Sequence, residues 1–163
     1  MPDAAAIRTR LPHHLQWLRR NLEILERMAD GVDETQADRS LVPGGSTLRW
    51  LLGHLVATRD VMLTHLAAEP VLDEAMSARF QRGASAADLR PAGPAVSELL
   101  ALLHAQLERL EQAFAAADEA RLAAPSGGST LGESIEFLVW HDTYHIGQAT
   151  LYRRGAGLES PIG

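Results

Sequence analysis

The stretch that most constrains this chain is residues 129–154, STLGESIEFLVWHDTYHIGQATLYRR. It opens on a capping box, Thr130-Leu-Gly-Glu133. It closes with Arg153 and Arg154 beside the negative end of a helix dipole, then Gly155 as a stop. The pattern predicts one long helix. His141 and His145 stand four residues apart on it, as neighbours on the face that carries Leu131, Leu138, Gln148 and Tyr152. That face includes apolar positions expected to point into a core. Two imidazoles one turn apart on such a stripe are best explained by a divalent metal. Imidazole is a common metal ligand, and this spacing lets both rings reach one ion. A third ligand must come from elsewhere, and His54, in the run Trp50-Leu-Leu-Gly-His54-Leu-Val56, is the candidate.

The rest of the chain predicts three more long helices. A first runs from about residue 3 to 28, with Ile7, Leu11, Leu15, Leu18, Leu22 and Leu25 recurring at threes and fours. Pro12 should kink it or mark its true start one turn later. Gly31 sits where a stop belongs. After a loop over 32–45, the second helix starts at Ser46 or Thr47, either of which can cap it, and reaches about residue 68, before Pro70. Its middle is apolar nearly all round, so it should be deeply buried. Residues 69–92 read as a long connection with one short helical turn at 73–80, able to cross the end of a bundle. A third helix opens at Gly93-Pro94 and ends near Ala117. The loop over 118–129 resembles the first. Asp33-Glu34 and Asp118-Glu119 open the two, and Gly-Gly-Ser-Thr-Leu, ending at Leu48 and Leu131, closes both. Duplication or a shared way of starting a helix accounts equally well for the likeness. Ala and Leu are abundant and β-branched residues sparse, which favours helix. The expectation is a single all-α domain over 1–163, a four-helix bundle.

Composition narrows the function. A net charge of −6 with no basic stripe argues against nucleic-acid binding, including a stress-response DNA-binding role. The chain has no cysteine, so thiolate ligands, disulfides and a cysteine nucleophile are excluded. The N-terminus lacks an apolar signal-peptide core, and the most apolar run, 48–66, carries His54, Arg59, Asp60 and His65. A cytoplasmic protein with no membrane span is expected.

Measured from the two cap threonines, Thr47 and Thr130, the three candidate ligands fall at helical angles of about 340°, 20° and 60°. All three rings face the core if the two helices start in similar orientations. Three neutral histidines leave a further position open, as in catalytic zinc sites. Zinc, nickel, cobalt and iron all suit imidazole. The competing readings are a surface histidine pair on the last helix and, for His54, a core histidine bonded to a backbone carbonyl. His65 lies about 16 Å from His54 along the same helix, too far to share an ion. His13, His14 and His104 read as rim residues. Asp142 and Asp60 are candidates for holding ligand imidazoles, with solvated surface charge as the alternative. Gln148 is a candidate for contacting substrate or water, and Tyr144 and Tyr152 for supplying a phenol near the site, with core packing the favoured alternative for both tyrosines. Catalytic residues are not identifiable. No glutamate follows His141, so the usual base of a helical zinc protease is missing.

At these residues the chain resembles the DinB-like (YfiT-like) metalloprotein family. The likeness is carried by Gly45-Ser-Thr-Leu-Arg-Trp-Leu-Leu-Gly-His54-Leu, by His141-Asp-Thr-Tyr-His145-Ile-Gly-Gln148 and by the Leu-Tyr-Arg-Arg-Gly ending. The resemblance implies an up-down-down-up bundle with the long connection between its second and third helices. It implies a divalent ion, zinc or nickel, on His54, His141 and His145, and a homodimer. It also implies thiol-dependent S-transferase or isomerase chemistry, in which a low-molecular-weight thiol attacks a small-molecule substrate. The alternative is a non-catalytic, metal- or ligand-binding dimeric bundle of stress-response type.

Overall fold

The computed structural model describes residues 3–84 and 93–162. Four long helices form its frame: α1 (Ala4–Ala29), α3 (Leu48–His65), α5 (Val96–Ala116) and α7 (Leu131–Gly155). Among the described residues, three short helices occupy the connections: α2 (Glu34–Ala37), α4 (Glu74–Arg79) and α6 (Glu119–Ala123). A two-residue antiparallel pair, β1 (Pro125–Ser126) with β2 (Ser129–Thr130), leads into α7.

Side-chain bonds between helices fix their directions. His14 meets Glu136, Asn21 meets Asp142, and Arg153 reaches the Met28 carbonyl, so α1 and α7 run parallel. Ser46 meets Tyr152 while Arg59 meets Asp142, so α3 runs against α7. Arg49 bonds the Pro94 carbonyl and Gln106 the Val56 carbonyl, so α5 runs with α3. The bundle is therefore up-down-down-up. Its parallel α3–α5 step requires the long connection, because two parallel neighbours cannot be joined by a hairpin. The second part of that connection, 85–92, lies outside the described residues.

Local chemistry explains the element ends. Thr47 and Thr130 cap α3 and α7, and Thr130 and Glu133 close the expected capping box, with the Thr130 amide donating to Glu133 Oε2 at 2.9 Å. Asp33 and Asp118, expected merely to open loops, cap α2 and α6. Pro12 lies inside α1, which begins at Ala4 on an Asp3 cap, so it does not mark the start. It is exposed, so the carbonyl its missing amide leaves unbonded can face water.

Three boundaries differ from expectation. Helix α5 starts at Val96, and Pro94 stays outside it to lend its carbonyl to Arg49. Helix α3 stops at His65 because Ala67 turns left-handed, at φ 58°, and the Ala68 amide bonds back to the Leu63 carbonyl. Gly155 belongs to α7, and Gly157, at φ 80°, makes the left-handed stop instead.

The core has two apolar halves. One gathers Leu22, Leu25 and Met28 with Leu51, Leu55, Leu99 and Phe80; the other gathers Ile7, Leu11 and Leu18 with Met62, Leu110 and Ile135. Buried polar groups, Asn21, Arg59, Gln106 and Asp142 among them, sit on the same helices.

Candidate metal centre

Helix α7 buries only part of the face its sequence suggests. Leu131 and His145 of that face are buried, together with Gly132, Ile135, Val139, Asp142, Ile146 and Ala149. Leu138, His141, Gln148 and Tyr152 are half-buried and flank this stripe. The stripe is centred on Asp142, so the two histidines stand at its edge, where a side chain can meet α3 and still face a cleft. The opposite side of α7 is also apolar but exposed: Phe137, Trp140, Tyr144 and Leu151.

Asp142 is fully buried and paired with Arg59, itself fully buried, at 2.8 Å. Asn21 donates to the same carboxylate at 2.7 Å. The carboxylate therefore serves a link between helices, and no hydrogen bond joins it to a histidine among the described residues. Arg59 lies little more than one turn beyond His54, so this pair sets the register in which α3 and α7 present their histidines. Asp60 is likewise spent elsewhere: it accepts the amides of Val71 and Leu72 and the side chain of Gln106, pinning the start of the long connection.

His54, His141 and His145 come together, each offering a ring nitrogen, with these atoms all within 4.8 Å of one another. His141 Nε2 lies 3.4 Å from His54 Nε2 and 3.0 Å from His145 Nε2. His54 and His145 are buried and His141 is half-buried.

The outer nitrogens decide the tautomers. His54 Nδ1 donates to the Phe80 carbonyl at 2.7 Å, which leaves a lone pair on its Nε2. His145 Nδ1 donates to Gln148 Oε1 at 2.6 Å, with the same result. Gln148 Nε2 in turn donates to the Tyr144 hydroxyl at 3.3 Å. A proton on His141 Nε2 can satisfy one of the two facing lone pairs and not both. The cluster thus holds more lone pairs than protons, which is the donor set a cation completes, and the residues fit a divalent ion.

Burial, the largest cause, lowers the pKa of all three rings; only for His54 does a backbone bond oppose it, and for His145 the Gln148 bond does. His141 is pushed furthest, to about 4, by burial and then by the neighbouring His145 and His54. Neutral rings are the metal-binding form.

Gly53 lets this happen. A Cβ there would lie 2.0 to 2.4 Å from Phe80 ring atoms. The bare backbone admits the buried Phe80 ring against α3 and brings its carbonyl onto His54. The alternative reading of His54, a histidine bonded to a backbone carbonyl, is thus also realised, through its other nitrogen. Trp50 stacks on the His54 ring, with centroids 4.8 Å apart and planes 10° apart.

A cleft of about 510 Å³ opens over the cluster, lined by all three histidines and by Ser46, Trp50, Arg82, Tyr144 and Gln148. The sequence reading missed Phe80, Arg59 and Arg82. Phe80 and Arg82 lie in a connection with no periodic pattern, and Arg59 on an apolar helix reads as an exposed charge. His65, His13 and His104 lie outside the cluster, and His104 pairs with Glu26 at 2.7 Å. No described helix is long and apolar enough to cross a membrane.

The sequence profile described as the DinB superfamily matches residues 15–149, a span that includes all three histidines. No curated protein gives a significant match.

Proposed function

The chain belongs to the DinB superfamily, and on that premise we propose that it is a divalent-metal-dependent enzyme using a small thiol, an S-transferase or isomerase acting on a small electrophile. The observation that carries this reading is the convergence of three Nε2 atoms whose lone pairs outnumber their protons. His54, His141 and His145 would hold the ion, zinc or nickel. When bound, the ion supplies Lewis acidity that lowers the pKa of a coordinated thiol or water. All three donors are neutral, so none of the ion's charge is cancelled by its ligands.

The chain's own residues supply orientation. Phe80 and Gln148 hold two of the imidazoles in the donor tautomer. Trp50 offers an apolar wall beside His54, and Tyr144 and Gln148 offer polar groups to a molecule in the cleft. No carboxylate stands in the histidine cluster among the described residues, so the thiol's proton would leave through solvent. We place the activity in the cytoplasm, where small thiols are abundant and a cysteine-free chain is at home.

Metal content by elemental mass spectrometry, on tag-free protein, tests the reading. The expected result is about one ion per chain in the wild type. Both His54→Ala and His141→Ala should lose it. Thiol-transfer assays with common bacterial thiols then follow. A metal-loaded protein inactive with all of them would shift the reading to hydrolysis.

A specific observation favours a second reading, a dimeric module without catalysis. The exposed residues Phe137, Trp140, Tyr144 and Leu151 make one apolar strip along α7, of the kind that covers itself against a second copy. Light scattering should then give twice the monomer mass for the wild type and the monomer mass for Trp140→Glu. A dimer alone is compatible with both readings. A dimer that binds ligand equally well with its metal removed supports the second.

A further inference from the structure

The cleft differs in charge from the chain that forms it. Acidic residues outnumber basic ones, 21 to 15, yet no Asp or Glu lines the cleft among the described residues. Arg82 does line it. Arg10, Arg19, Arg49 and Arg59 are each paired with a carboxylate. Arg82 is exposed and has no such partner among the described residues. The three histidines line the same cleft. A volume of about 510 Å³ is that of a small-ligand site.

We propose that the substrate carries a carboxylate, bound by Arg82 on the side of the cleft formed by residues 82–84, while its reacting end lies over His54, His141 and His145. A guanidinium presents a planar fork that matches a carboxylate with two parallel hydrogen bonds. At its end of the cleft, one guanidinium with no second Arg or Lys among the lining residues matches a single negative charge better than a phosphate dianion. The acidic surface elsewhere repels an anion, so a cleft free of carboxylates is where its potential is lowest. Trp50, stacked on His54, then packs against the apolar stem between the two ends. The assignment rests on the metal reading of the three histidines.

Two probes that share a metal-binding group isolate the carboxylate: the monohydroxamate of succinic acid and its carboxamide counterpart. Each is titrated calorimetrically into zinc-loaded protein whose zinc content is measured on the same sample. The wild type should bind the carboxylate probe about tenfold more tightly than the carboxamide. Arg82→Gln should bring the two to equal affinity with zinc content unchanged, and Arg82→Lys should keep part of the preference. Equal affinities in the wild type, a preference that survives Arg82→Gln, or no binding of either probe to zinc-loaded protein would overturn the assignment alone. Wild-type protein that takes up no zinc would overturn the metal reading, and the carboxylate assignment with it.

Discussion

Helices α3 and α7 are joined by two buried polar clusters little more than a turn apart, Arg59 with Asp142 and Asn21, and His54 with His141 and His145. In the first, opposite charges meet at 2.8 Å and Asn21 adds a further bond to the carboxylate. In the second, three like groups turn the same nitrogen toward one another; the outer nitrogens of His54 and His145 are bonded, while His141 Nδ1 is buried without a partner among the described residues. The first cluster is closed apart from Arg59 Nη1, which has no partner among the described residues, and the second is open. A closed cluster holds helices in register. An open one tolerates its own mismatch only because the closed one beside it prevents the helices from sliding to relieve it.

The contrast predicts unequal costs. Asp142→Leu leaves Arg59 buried without its partner, which should cost about 3–5 kcal/mol in urea unfolding of the metal-free protein. The double variant Arg59→Met with Asp142→Leu should recover most of that, since no charge is then stranded. His54→Ala, measured the same way, should cost far less, because it removes one of three mutually mismatched groups. Equal losses for Asp142→Leu and His54→Ala would show that the histidines also hold the bundle together, and the contrast would fail.

That contrast was only half visible in the sequence. Helix lengths followed from periodicity and caps, and Thr47 and Thr130 served as common origins from which the three histidines pointed one way. Those angles fix no distance, and the meeting also needs the register that Arg59 and Asp142 set between the two helices. The expected face of α7 is only partly the buried one, because the helix is apolar on two sides. Phe137, Trp140 and Tyr144 outside compete with Ile135, Val139 and Ile146 inside, and an aspartate at the centre of the buried stripe reads as exposed. Only its partner explains it, and Arg59 is 83 residues away in sequence. The Phe80 carbonyl was illegible for a different reason. A backbone acceptor has no residue type, and the loop that carries it has no period.

Gly53 offers a sharper test of how the open cluster is held. Gly53→Ala places a methyl group where the Phe80 ring now sits, and the overpacking should cost about 1–3 kcal/mol. The displaced ring takes its carbonyl from His54, so metal affinity should also fall by about ten- to a hundredfold. Gly147→Ala is the control on α7, where a Cβ meets nothing within 4 Å. It should be neutral or stabilise by up to about 1 kcal/mol, as alanine does in a helix. If both variants bind metal like the wild type, the Phe80 bond does not orient His54.

The last effect to test is that of pH, acting on the open cluster in metal-free protein. Burial holds the folded-state pKa of His54, His141 and His145 below the unfolded value of 6.5, to about 4 for His141. The folded protein therefore binds fewer protons than the unfolded chain in this range. Stability is full above 6.5 and falls as the pH drops from 6.5 toward 4, where His141 itself becomes protonated. His65, also lowered by burial, adds a background to the same window. Glu136, held below its usual 4.5 by Arg10 and His14 against the cost of burial, contributes only further down, its stabilisation being lost as pH falls through its folded value. Melting temperatures of chelator-treated protein should therefore decline between pH 6.5 and 4, and more gently in His141→Ala than in the wild type. Since His65 is unchanged in that variant, the difference between the two curves reports the cluster alone. Identical slopes would mean that His141 titrates as it does in the unfolded chain, and that its ring nitrogens are not held as an empty donor set.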